Sequence, residues 1–113
     1  MKHIFIVNPA AGKGKALKLI PDIERLFAGR QEEYTIEVTR GPGHATEIAR
    51  QYVSMEKCRV YSVGGDGTLN EVVNGLVGSD SSLAVIPCGS GNDFIRSIIS
   101  CSSHDDILYR TVY

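Results

Sequence analysis

A three-layer α/β/α fold, with a parallel sheet of about four or more strands between the helical layers, is what this sequence predicts. Short apolar runs alternate with longer stretches of helical apolar spacing, as β-α units on a parallel sheet do. Runs such as Leu83-Ala84-Val85-Ile86 are apolar throughout, which suits strands covered on both faces. Glycine-rich segments follow three of the strands, at the ends where open α/β sheets hold their ligands.

The first strand runs from His3 to Val7 and stops at Asn8-Pro9. Apolar residues at 16, 19, 20, 23, 26 and 27 then have helical spacing. Pro21 predicts a kink or restart there, because it has no N–H for the Leu17 carbonyl and its ring crowds that oxygen. Gly29 predicts the stop. Tyr34 to Thr39 alternates as a second strand, and Gly41-Pro42-Gly43 is a turn. Ala45, Ile48, Ala49, Tyr52 and Val53 mark a second amphipathic helix, and Arg59 to Val63 a third strand ending in Gly64-Gly65. Leu69, Val72, Val73, Leu76 and Val77 form the cleanest apolar stripe, with Thr68-x-x-Glu71 as a capping box before it and Gly78 closing it. Leu83 to Ile86 is the fourth strand. Ser90-x-x-Asp93 reads as another capping box, opening a helix through Ile99. Residues 100–106 are polar and irregular, and Ile107 to Tyr113 is apolar and β-prone.

Composition limits the function classes. The 113 residues are 42% hydrophobic and 22% charged, enough for one core. A net charge of -1 shows no basic excess, so no nucleic-acid partner is expected. The 3 cysteines, Cys58, Cys88 and Cys101, include no C-x-x-C pair. That argues against a disulfide framework or zinc site and for a reducing cytoplasm. Ile4-Phe5-Ile6-Val7 is too short for a signal-peptide core, and no run approaches the ~20 apolar residues that cross a bilayer. Peripheral contact with the inner face of the membrane is compatible with this composition. His3 and His104 read as peripheral. His44 starts the second helix near the strand ends, as an exposed residue or a ligand contact. No Ser-His-Asp grouping presents itself.

Three segments can carry chemistry. Asn8-Pro9-Ala10-Ala11-Gly12-Lys13-Gly14-Lys15 follows the first strand, where a helix N-terminus and two lysines would favour an anion. It is not a Walker A loop, and an ordinary β-to-α turn is the competing reading. Gly64-Gly65-Asp66-Gly67-Thr68-Leu69-Asn70-Glu71 sets three glycines around one aspartate. Glycine lets a phosphate approach the backbone, Asp66 can hold Mg²⁺, and Thr68 with the first helix amides can bind phosphate. A capped turn needs fewer glycines, although Glu71 has a sufficient role as the capping partner of Thr68. Pro87-Cys88-Gly89-Ser90-Gly91-Asn92-Asp93-Phe94 repeats the design, with a simple Ser90 cap as its plainer reading. Cys88 has no histidine in its motif and reads as filler rather than nucleophile.

Together, Asn8-Pro9 with Gly12-Lys13-Gly14, then Gly64 to Glu71, then Gly89-Ser90-Gly91-Asn92-Asp93-Phe94 resemble the catalytic domain of diacylglycerol kinases. The bacterial lipid kinases are the nearest branch, and sphingosine kinases are more distant. Order and spacing match from residue 3 to about 100. The Gly-Gly-Asp-Gly-Thr element is shared with NAD kinases and so is less specific.

The resemblance implies a flavodoxin- or Rossmann-like nucleotide-binding domain over residues 1–100. Residues 101–113 would begin a crossover to a second, mostly β domain that lies outside this chain. It implies ATP- and Mg²⁺-dependent phosphorylation of a lipid hydroxyl, of diacylglycerol or a similar lipid. Carried over by motif, Gly64, Gly65, Asp66, Gly67, Thr68, Leu69 and Asn70 would bind ATP phosphates, with Asn8 nearby and Thr39 contacting nucleotide. Ser90 occupies the family's usual Thr position. Asp66 and Asp93 would be the catalytic carboxylates, in metal-water networks and substrate handling, with Asp66 on the Mg²⁺. The missing domain would bring the lipid, further Mg²⁺ ligands and the general base, so this chain reads as part of a longer kinase and inactive alone. A homodimer is compatible with this. An NAD kinase-like phosphotransferase and a non-catalytic nucleotide-binding regulatory domain are the alternatives.

Overall fold

The computed structural model describes residues 2–87. Strands β1 (Lys2–Val7), β2 (Tyr34–Val38), β3 (Cys58–Gly64) and β4 (Ser82–Pro87) form one sheet in the order β2-β1-β3-β4. Every neighbouring pair is parallel. Parallel neighbours need crossovers. Helices α1 (Lys15–Lys18) and α2 (Ile20–Phe27) link β1 to β2, α3 (His44–Met55) links β2 to β3, and α4 (Asp66–Leu76) links β3 to β4.

The chain steps one way across the sheet from β1 to β2, then the other way to β3 and β4. Right-handed crossovers therefore place α1 and α2 on one face, α3 and α4 on the other. Strand alternation sorts the core accordingly. Phe5, Val7, Tyr61, Val63, Ala84 and Ile86 meet Ala16, Leu19, Ile23 and Phe27 on the first face. Ile4, Ile6, Cys58 and Val60 meet Ala45, Ile48, Ala49 and Val72 on the second. The expected layered α/β fold is thus the observed one.

Pro21 acts as its chemistry predicts. Helix α1 ends at Lys18, and α2 restarts at Ile20 with Pro21 in its first turn, where a missing N–H removes no bond. At the far end of α3, the Tyr52 hydroxyl donates to Glu37 of β2. That bond first, and burial second, push the phenol up to about 12. The buried Cys58 thiol donates to the Glu56 carbonyl at 3.2 Å, and burial raises its pKa, as in an inert structural cysteine.

Three expectations are corrected. His3 is buried, not peripheral: Nδ1 lies 2.9 Å from the Tyr61 hydroxyl and Nε2 3.1 Å from Glu32. Strand alternation puts it on the Phe5 side, under α2. The buried face of α4 is Thr68, Val72 and Gly75, whereas Val73 is 41% and Val77 78% exposed. The helix turns its small-residue edge inward, because a Cβ on Gly75 would stand 2.6 Å from Ala49 Cβ and 2.7 Å from the Thr46 carbonyl oxygen. Finally, Leu83 and Val85 are only half-buried, since β4 is an edge strand among the described residues.

Alanine in place of glycine inside a helix ordinarily gains about 1 kcal/mol. At Gly75 the clash outweighs that gain, and overpacking of this kind costs roughly 1–3 kcal/mol. Urea unfolding of Gly75→Ala is expected to show a net loss of stability; a net gain would mean that α3 and α4 are not in close contact.

Candidate functional site

The direction of strand order reverses between β1 and β3. Their following segments leave toward opposite faces and open a crevice at the carboxyl ends of the strands. The Asn8 N–H extends the β1–β3 ladder to the Val63 carbonyl at 3.0 Å. Its side chain is held at both ends: Oδ1 accepts the Ala10 N–H at 3.0 Å, and Nδ2 donates to Thr68 Oγ1 at 3.1 Å. Thr68 lies in the first turn of α4 and rests on Gly64. A Cβ on Gly64 would be 2.6 Å from Thr68 Oγ1 and 2.9 Å from its Cβ. Glycine at 64 is therefore required by close approach.

The expected Thr68–Glu71 capping box does not form. Helix α4 already begins at Asp66, its N-cap is Gly65, and no side chain caps it. Thr68 is thus inside the helix, and its hydroxyl accepts from Asn8. Glu71 instead reaches the β2–α3 loop, where Oε1 accepts the Gly43 N–H at 3.1 Å. The Glu71 carbonyl accepts the Thr46 hydroxyl at 2.7 Å.

Gly65 and Gly67 differ from Gly64. A Cβ on either meets nothing within 4 Å, and neither has a left-handed φ. Neither packing nor backbone conformation demands glycine at these two places. What the missing Cβ atoms leave is open space over the first-turn amides of an eleven-residue helix. Those amides have no intrahelical partner, and with the helix dipole they suit an anion such as phosphate.

Beside this turn lies a cleft of about 360 Å³. Asn8, Pro9 and Ala10 form one side, Thr39 to Pro42 a second, and Gly67, Thr68 and Glu71 of α4 a third. Of the sequence-predicted residues, Asn8, Thr39, Gly67 and Thr68 converge on it. Gly64 is buried at the foot of Thr68, and Gly65 and Asp66 are exposed at the head of α4. Leu69 and Asn70 follow on the same helix, outside the cleft lining. Ser90 and Asp93 lie outside the described residues. Arg40 and Pro42 also line the cleft; in the sequence Pro42 carried only a turn signal and Arg40 none. Their one clue was position, immediately after a strand of a parallel sheet.

The first glycine motif meets a need of the backbone. Gly12, Lys13 and Gly14 all have positive φ, of 62°, 57° and 91°. Helix α1 after them has four residues, too few for the expected anion-binding end, and the Lys15 N–H bonds back to the Ala11 and Gly12 carbonyls. Lys13 and Lys15 are exposed.

Among the described residues, no group of three or more His, Cys, Asp and Glu side chains gathers as a metal site. Asp66 is a single carboxylate beside the open turn. That fits Mg²⁺, which takes one or two carboxylates and completes its shell with substrate phosphates and water. The close contact beneath the turn is testable. Gly64→Ala is expected to cost roughly 1–3 kcal/mol in denaturant unfolding, the range for overpacking; an unchanged midpoint would show that Thr68 does not rest on Gly64.

Known proteins resemble this chain in sequence and in fold. Residues 2–110 match the diacylglycerol kinase catalytic domain. A diacylglycerol kinase of Bacillus subtilis (strain 168) is 37% identical over 96 residues, 83% of this chain and 32% of its own length. Sphingoid long chain base kinase 5 of Saccharomyces cerevisiae is 36% identical over 121 residues, 98% of this chain and 17% of its own length. The crystal structure of a diacylglycerol kinase from Bacillus anthracis str. Sterne matches with a TM-score of 0.64 at 30% identity, over 99% of this chain and 39% of that one. The chain spans about a third of the length of the Bacillus subtilis relatives it matches. With a match that runs from the first strand to near the last residue, over a fold shared with solved diacylglycerol kinase structures, the chain belongs to the diacylglycerol kinase catalytic domain family.

Proposed function

We propose that this chain is the nucleotide-binding part of an ATP- and Mg²⁺-dependent lipid kinase. The reaction transfers the γ-phosphoryl group of ATP to a hydroxyl of diacylglycerol or a similar lipid. The observation that carries the nucleotide reading is the pair Gly65 and Gly67, glycines that the fold does not need, over the open amides of α4. The acceptor class is supported by the relatives, one named for diacylglycerol and one for sphingoid long chain bases.

Phosphoryl transfer asks a protein chiefly for positioning and charge neutralisation. The α4 amides hold phosphate oxygens, and Thr39 with the Asn8 segment borders the rest of the nucleotide. Asp66 would hold the Mg²⁺, which when bound would offset charge on the phosphate oxygens. By the motif resemblance, Asp93 shares substrate handling with Asp66, and Ser90 takes part in nucleotide binding. The lipid site, the general base and further Mg²⁺ ligands belong to the remainder of a longer protein. A lipid acceptor brings the enzyme to a membrane surface as a peripheral protein. Among the described residues no helix is long and apolar enough to cross one.

Two substitutions separate this function from a purely structural turn. Gly67→Ala is expected to leave stability unchanged or raise it by up to about 1 kcal/mol, the helix-propensity gain, while Mg·ATP affinity falls about tenfold. Thermal unfolding and calorimetric titration read the two effects, and intact affinity would return the glycines to the turn alone. Asp66→Asn is expected to weaken ATP binding about tenfold in Mg²⁺ and little in EDTA, as loss of one metal ligand would. Equal affinity of both proteins for Mg·ATP would remove Asp66 from the metal.

A further inference from the structure

The cleft wall formed by the β2–α3 loop has no sheet or helix to hold it. Strand β2 ends at Val38, and the last ladder-like bond is Thr39 N–H to the Val7 carbonyl, at 2.9 Å. Helix α3 begins at His44. Between them Arg40, Gly41 and Pro42 line the cleft and are exposed. Such a segment would wander unless its backbone found other partners.

It finds two side-chain acceptors, one from each helix of the adjoining layer. The Arg40 N–H donates to His44 Nδ1 at 2.8 Å. The Gly43 N–H donates to Glu71 Oε1 at 3.1 Å, across 28 positions of sequence. Gly43 has a φ of 83°, a conformation that favours glycine, and this sets the direction of its N–H. Within the loop, His44 N–H to the Gly41 carbonyl adds a turn bond at 3.2 Å. The acceptors are themselves anchored. Glu71 belongs to α4, whose Gly75 packs on Ala49 and Thr46 of α3 and whose Glu71 carbonyl takes the Thr46 hydroxyl. The loop is thus tied to the same rigid pair of helices that carries Gly65 and Gly67.

We propose that His44 and Glu71 are positioning residues that clamp the Arg40–Gly43 loop as the nucleoside-side wall of the cleft, and so set nucleotide affinity through the loop rather than by contact with the reacting atoms. This rests on the nucleotide reading of the cleft. Both bonds are exposed, so water replaces them when they are lost. The cost then falls on the order of the loop, not on global stability. Polyphosphate held at α4 does not need that wall, and ATP does.

The test uses the whole chain, titrated with Mg·ATP and separately with Mg·tripolyphosphate, with amide exchange followed by NMR. His44→Leu removes the acceptor; His44→Asn restores one near Nδ1. Glu71→Met and Glu71→Gln remove the same charge, and only Gln keeps an acceptor. The Leu and Met variants are expected to bind ATP about tenfold more weakly, with Asn and Gln within about threefold of the parent. His44→Leu should bind tripolyphosphate as the parent does. Exchange should quicken at Arg40 in His44→Leu and at Gly43 in Glu71→Met. Unaltered exchange at those amides, no rescue by Asn or Gln, or an equal loss of tripolyphosphate binding in His44→Leu would each overturn the clamp. A parent chain that binds neither ligand would instead overturn the nucleotide reading, with the amide exchange still reporting on the clamp.

Discussion

The contact of Thr68 with Gly64 decides where everything else in the crevice can be. Thr68 Oγ1 sits at a distance from Gly64 that no side chain there would allow. From that seat it accepts the Asn8 side-chain bond. One residue of α4 is thereby joined to the ends of both inner strands. The first turn of the helix is fixed beside the switch point. A methyl group at 64 would press on Thr68 and strain its bond with Asn8. Gly64 is demanded from inside the fold, while Gly65 and Gly67 are left open on the outside. The same glycine run thus meets two different needs within four residues.

A second constraint carries the position of α4 across to α3. Gly75 brings the two helices within contact of backbone atoms, and the Thr46 to Glu71 bond fixes their register along the axis. The open glycine turn comes from α4, and the wall around Thr39 and Arg40 leads into α3. Rigid coupling of the helices keeps those two edges at a set separation, which is what recognition of a ligand with a phosphate end and a nucleoside end requires.

Elements whose identity depends on local periodicity were legible in the residues alone. Strand β1, the Pro21 restart, the buried face of α3 and the four-strand α/β layout all follow from spacing within a few positions. Features set by partners far along the chain were not legible. Glu71 satisfies the capping-box pattern as well as any glutamate could, but its acceptor is taken by Gly43, and nothing near residue 71 encodes that. Gly75 has no hydropathy, so the stripe of valines beside it misplaced the buried face of α4. His3 looked like a terminal polar residue because its partners, Tyr61 and Glu32, lie far along the chain.

The strand order also bears on how the chain reaches this state. β1 is made first but lies inside the sheet, and His3 pairs with Tyr34 on one side and Arg59 on the other. Each pairing closes a long loop before its contacts offset the lost chain entropy. The β1–β3 seam closes the longest loop of the described sheet, across β2 and α3. The crevice does not exist before that closure, since Asn8 and Gly64 stand on its two sides. A ligand that reads the crevice binds the finished sheet and none of its precursors, and by mass action it draws the folding equilibrium toward completion. The seam beside the crevice is thus also the join through which the two halves of the described sheet are held together.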